Sequence, residues 1–216
     1  MEYIGFLLNI FLGFLSIVII DCLPKGQAII QLKGLKKIIF YLIFFLSELI
    51  LGYIIKLSTR SYSSYFLGIV LLAVLETIMI IDFKYLIIPD SLNVAFGVIG
   101  VIRLLLNQNN NNIWEYLLTI PFNFGLIVIF WLIELKLKKP AIGGGDLKMF
   151  ICVGLLLGLK REIVVIGLSS FIMLVEIVLI KLILNKNYEG YYPYGPSICI
   201  SIMIIYLWGE KILTLY

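Results

Sequence analysis

Residues 63–81 read SSYFLGIVLLAVLETIMII, and Asp82-Phe83-Lys84-Tyr85 follows directly. This run of nineteen residues holds one charged side chain, Glu76. About 20 such residues are what an α-helix needs to cross the hydrocarbon core of a bilayer. The apolar positions are continuous, where a helix lying on a soluble core would show a one-sided stripe. The stretch therefore predicts a membrane span that ends on a carboxylate at the water boundary.

The rest of the chain repeats the pattern. Apolar runs at roughly 4–20, 38–56, 92–106, 113–135, 147–159, 162–183 and 197–214 join 63–81 to give about eight spans. The fourth and sixth are short, and the sixth has the length of a partly re-entrant segment. Hydrophobic residues make up 62% of the 216 and charged ones 14%, with a mean hydropathy of +1.11. Soluble domains carry about a quarter charged residues. The expected fold is all-α: one polytopic transmembrane domain over residues 1–216, with no linker or repeat. Met1-Glu2-Tyr3-Ile4-Gly5 lacks the basic flank of a cleavable signal, so the first span is expected to stay as a helix.

Lysine and arginine set the orientation. Eleven lie in or beside the loops that follow odd-numbered spans, among them Lys25, Lys33, Lys37, Lys84, Lys139 and Lys148, and six lie on the other side. The odd loops are therefore expected in the cytoplasm. Asp82 ends the third span and Asp146 stands at the start of the sixth, which puts both acids on that face. The net charge of +4 sits beside the spans, where it marks topology and favours anionic lipid headgroups. It does not point to nucleic acid. Gln108 to Asn112 reads as a solvated external turn.

The chain has no histidine, which removes Ser-His and Cys-His catalysis and any His-ligated metal. Cys22, Cys152 and Cys199 have no metal-binding spacing. The glycine run lacks the spacing of a phosphate loop. What remains is carboxylates. Glu48, Glu76, Glu134 and Glu176 fall in or near spans, where pairing, a water-filled cavity or protonation can accommodate them. Glu76 leads this group, because it lies about two helical turns before Asp82 and is read on the same flank. Asp146 follows Gly143-Gly144-Gly145, a run that permits positive φ and close backbone approach. Two carboxylates a few ångströms apart share a proton, so one can act as base toward water and the other as acid toward a carbonyl oxygen. Lysine stands two residues after each aspartate, at Lys84 and Lys148, suited to restrain the pair's charge or to meet an acid on a substrate.

Together these residues resemble the type IV prepilin peptidases, the GxGD-type intramembrane aspartyl proteases of bacteria. Asp82 with Pro89 seven residues on is similar to the family's first acid motif. Gly143-Gly144-Gly145-Asp146-Leu147-Lys148 matches its G-x-G-D-x-K. Pro193-Tyr194-Gly195-Pro196 resembles the turn before its last span, and Gly13-Phe14-Leu15-Ser16 running to Leu23-Pro24 resembles its first-helix exit. The resemblance implies that Asp82 and Asp146 are catalytic. It implies that Gly143, Gly144, Gly145, Lys84, Lys148 and Glu76 support them or the substrate. It further implies that the chain cuts the basic leader from prepilins or pilin-like precursors at the cytoplasmic face of the cell membrane, without a cofactor.

Many members also N-methylate the new terminus, and S-adenosylmethionine is the cofactor implied if this chain does the same. Ser16 stands where asparagine is frequent and Asp21 where a basic residue is common, which weakens that expectation. Longer members carry paired cysteines in the first cytoplasmic loop. Here 24–37 has none, so no metal is expected. Two alternatives stay open: a peptidase for archaellin-like or tad-type pilin precursors, and a proton-coupled membrane transporter. The transporter predicts acids spread through the bilayer and an internal repeat.

Overall fold

The computed structural model describes residues 2–22, 35–59, 61–106, 113–184 and 192–213. The cysteine-free loop, Leu23-Pro24 and the turn at 108–112 lie outside them. The described residues are helical, without strands. They divide into two compact units, Met1–Ile87 and Ile88–Tyr216.

The first unit holds α1 (Glu2–Cys22), α2 (Leu35–Ser58) and α3 (Tyr62–Tyr85), each packed on the other two. The buried element of the unit is α3, which holds the run 63–81. Ile69, Leu71, Leu72, Leu75 and Ile78 of α3 have almost no exposed surface. Glycines let the helices approach, as is usual where no hydrophobic force drives association inside lipid. A side chain at Gly13 would strike the Glu48 carboxylate, and one at Gly52 the amide of Asn9. Asn9 Nδ2 in turn donates to the Glu48 carbonyl at 3.2 Å. Phe6, Phe14, Ile39, Leu42 and Ile50 point outward, an apolar surface suited to lipid.

The second unit holds α4 (Asp90–Leu106), α5 (Ile113–Leu117), α6 (Thr119–Leu137), α7 (Gly144–Leu157), α8 (Leu159–Leu184) and α9 (Gly195–Leu213). Helix α7 is its centre, with α4, α6, α8 and α9 packed against it. The α4–α7 contact is tight because of Gly97 and Gly100. A Cβ at Gly97 would sit 3.4 Å from Cys152 Sγ, and one at Gly100 would sit 3.1 Å from the backbone nitrogen of Leu156. At the far end of α7, Asn123 Nδ2 donates to the fully buried Glu162 at 2.7 Å. Gly154 leaves room for that carboxylate.

Gly100→Val should therefore lower the thermal midpoint in detergent. The added methyls meet backbone that cannot yield, and overpacking of this kind costs about 1–3 kcal/mol. Gly125→Ala, with nothing within 4 Å of the new atom, should leave the midpoint unchanged.

Helices α5 and α6 form one segment broken at Leu118, so the described residues make eight helical segments, in agreement with the reading of the sequence. Five are long and apolar enough to cross a membrane. The segments of α4, α7 and α9 are shorter or less continuously apolar. The chain is an all-α, multi-pass membrane protein.

Candidate active site

In the first unit Asp82 sits in the last turn of α3 and is 5% exposed. The helix stops because Leu86 turns left-handed (φ 54°, ψ 37°) and its N–H closes on the Asp82 carbonyl at 2.8 Å. Pro89 then prevents the helix from resuming early: it has no N–H to give, and it pushes Ile88 toward extended backbone. The Pro89 carbonyl accepts from Leu92 and Asn93 at 3.1 and 3.2 Å and starts α4.

Lys84 is 7% exposed. Its ammonium lies over the rings of Phe40 and Tyr41 and donates to the Tyr41 hydroxyl at 3.2 Å. Glu76 is also buried and accepts from Ser47 of α2 at 3.2 Å. Six residues at about 100° each separate it from Asp82 by about 120° around the axis. The two acids thus do not share a flank, which corrects the expectation from sequence.

In the second unit α7 begins inside the glycine run. Gly143 is the N-cap with extended backbone (φ −66°, ψ 136°), and its carbonyl accepts from Asp146 and Leu147. Gly144, Gly145 and Asp146 form the first turn, where a carboxylate is favoured by the helix dipole. None of the three glycines has positive φ, so conformational freedom is not why they are there. Room is. A Cβ on Gly145 would lie 3.0 Å from the Ile88 Cβ, and one on Gly143 would lie 2.6 Å from Asp146 Oδ2. Gly144 faces open space.

Asn93, buried in α4, donates to the Gly145 carbonyl at 3.3 Å, and its own carbonyl accepts from Cys152 Sγ at 3.2 Å. The sequence reading passed over Asn93, although an amide inside an apolar span was a visible signal. Lys148 pairs with Asp90 at 2.6 Å and so ties the glycine–aspartate motif to Pro89-Asp90. Both side chains are mostly exposed, at 55% and 72%, and exposed pairs contribute about 0–1 kcal/mol. Lys148→Gln should accordingly shift the thermal midpoint by no more than a few degrees.

Glu134 accepts from the Ala141 N–H at 3.0 Å and shapes the turn before α7, while Glu176 accepts from Ser197. Among the described residues no three His, Cys, Asp or Glu side chains cluster as metal ligands would.

The model of the type IV leader peptidase family matches residues 69–178, half of the chain, with both Asp82 and Asp146 inside the match. The chain belongs to that family. Relatives within it include a prepilin leader peptidase/N-methyltransferase of Legionella pneumophila, 30% identical over 149 residues, which are 66% of this chain and 50% of that protein. The protein of the same name from Vibrio cholerae is 27% identical over 170 residues, 77% of this chain and 65% of the relative. One from Aeromonas salmonicida is 30% identical over 88 residues, 41% of this chain and 30% of its own. This member of the leader peptidase family thus spans about half to two-thirds of the first two relatives. No solved structure matches it.

Proposed function

We propose that the chain is an aspartyl endopeptidase of the cell membrane that removes the leader from type IV prepilins or pilin-like precursors at the cytoplasmic face. One observation carries this reading above the others: the stretch matched by the family contains both acid motifs, each at the end of an apolar helix. The charge bias of the loops supports the same side for both.

In the mechanism, Asp82 and Asp146 hold one proton between them. The ionised acid takes a proton from water as its oxygen attacks the scissile carbonyl carbon, and the protonated acid gives its proton to the carbonyl oxygen. Collapse of the resulting diol breaks the C–N bond. The amine leaves with a proton from the first acid, and the diol returns one to the second. The open space beside Gly144, wider than one added methyl would fill, leaves room for an extended peptide near Asp146.

The relatives' names join the peptidase to an N-methyltransferase. That step needs a methyl donor such as S-adenosylmethionine, and the positions that the sequence tied to it are already engaged within the protein. The Ser16 hydroxyl is returned to the Leu12 carbonyl of its own helix, and both Asp21 oxygens are taken by Lys37 and Tyr41. We route no step through methyl transfer.

The test is incubation of vesicles carrying the protein with a pilin precursor, with products read by mass. A single cut that frees the basic leader is expected. An intact precursor, together with proton flux through the same vesicles, would replace the peptidase with a transporter.

A further inference from the structure

We infer that Tyr41, with Asp21 behind it, is a positioning residue for Asp82; the inference rests on the peptidase reading above. Lys84 lies two residues past Asp82 in the final turn of α3, and its buried ammonium requires partners. Tyr41 supplies them. The ammonium is 4.8 Å from the centre of its ring and donates to its hydroxyl at 3.2 Å. The hydroxyl's own proton goes to Asp21 Oδ1 at 2.6 Å, the short distance of a bond to a charged acceptor. Asp21 Oδ2 accepts from Lys37 at 2.8 Å.

The chain of bonds has a direction, from ammonium to phenol to carboxylate. It joins the C-terminal end of α1, the start of α2 and the end of α3. Helix ends fray unless something holds them, and this brace grips the one turn that carries Asp82. It also accounts for an oddity of the sequence. Asp21, at a place where the resemblance leads one to expect a basic residue, is the anion on which the brace closes.

Its contribution should appear in turnover, because a reacting group displaced by about 1 Å can lose on the order of 10²-fold in rate. The experiment measures kcat and KM for precursor cleavage in vesicles, with thermal midpoints, for wild type, Tyr41→Phe, Asp21→Asn, Lys84→Met and Lys84→Arg. Tyr41→Phe keeps the ring and removes the relay. It should lower kcat about tenfold or more, with KM within about twofold and the midpoint within a few degrees. Lys84→Arg, which keeps a cation over the rings, should retain clearly more turnover than Lys84→Met. Lys160→Gln, which removes an exposed ion pair with Glu115 in the other unit, should turn over as wild type.

Wild-type kcat in Tyr41→Phe, or a loss confined to KM, overturns the inference. If Tyr41→Phe does not accumulate folded, Asp21→Asn serves instead. It keeps an acceptor for the phenol without the charge, and wild-type kcat there is equally fatal. Asp82→Asn run in parallel separates the two readings. Full cleavage by it removes Asp82 from the chemistry, and with it the aspartyl reading on which the brace rests, whereas its inactivity beside an active Tyr41→Phe removes only the brace.

Discussion

Asp82→Asn and Asp146→Asn should each lose precursor cleavage by on the order of 10³-fold or more, in line with what a positioned acid or base contributes. Asparagine preserves the shape and one acceptor oxygen of aspartate but cannot take up or release the proton. Each acid performs half of a coupled transfer, so the losses should not add, and the double variant should be no slower than either single one. The measurement is product formation from a precursor in membranes, normalised to the amount of folded protein. Asp82 is buried at the end of α3 and Asp146 is half-buried in the first turn of α7. Neither substitution enlarges a side chain, so loss of protein is not expected to mask the result. Cleavage persisting in either variant would return both acids to structural roles.

The second large effect separates the glycines of one motif. Gly145→Ala should reduce turnover about tenfold or more, while Gly144→Ala should stay within about twofold of wild type. Position 145 is pressed on Ile88, and the added carbon must push the first turn of α7 away just before Asp146. Position 144 has open space and ordinary backbone. Gly143→Ala belongs with Gly145→Ala, since its new carbon would occupy the place of an Asp146 oxygen. Kinetics of the three variants would show whether the run is a space requirement, as the geometry argues. Equal losses in all three would mean that backbone freedom is what matters.

That distinction marks how far the sequence could be read. Apolar length alone located the helical segments, because in lipid the backbone must satisfy itself within each segment. The end that was missed is instructive. The sixth span was expected from residue 147, but α7 starts at Gly144. Three glycines in a row weaken a helix by backbone entropy, so the span reads from sequence as starting after them; in the structure the Gly143 carbonyl accepts from Asp146 and Leu147 and the first turn closes within the run.

The two aspartates were visible because a charge at the edge of an apolar run stands out. What surrounds them was not. The lysine at 84 reads from sequence as a group facing the site, and only tertiary packing reveals Phe40 and Tyr41 beneath it. Lys148 finds Asp90 fifty-eight positions away for the same reason. Contacts this distant leave no periodic trace in the chain.

One dimension of α7 has a consequence for the surrounding bilayer. Fourteen residues rise about 21 Å, against a hydrocarbon slab of about 30 Å. The C-terminal end is moored by the turn at Gly158 and by Lys160 and Arg161 just beyond it, residues that seek the headgroup layer. With that end at the headgroup layer, the shortfall of about 9 Å would fall at the Gly144 end. Lipid would thin there, or solvent would dip inward to hydrate the exposed amides. Either response would carry water to the level of Asp146 through the membrane surface itself, without a gate.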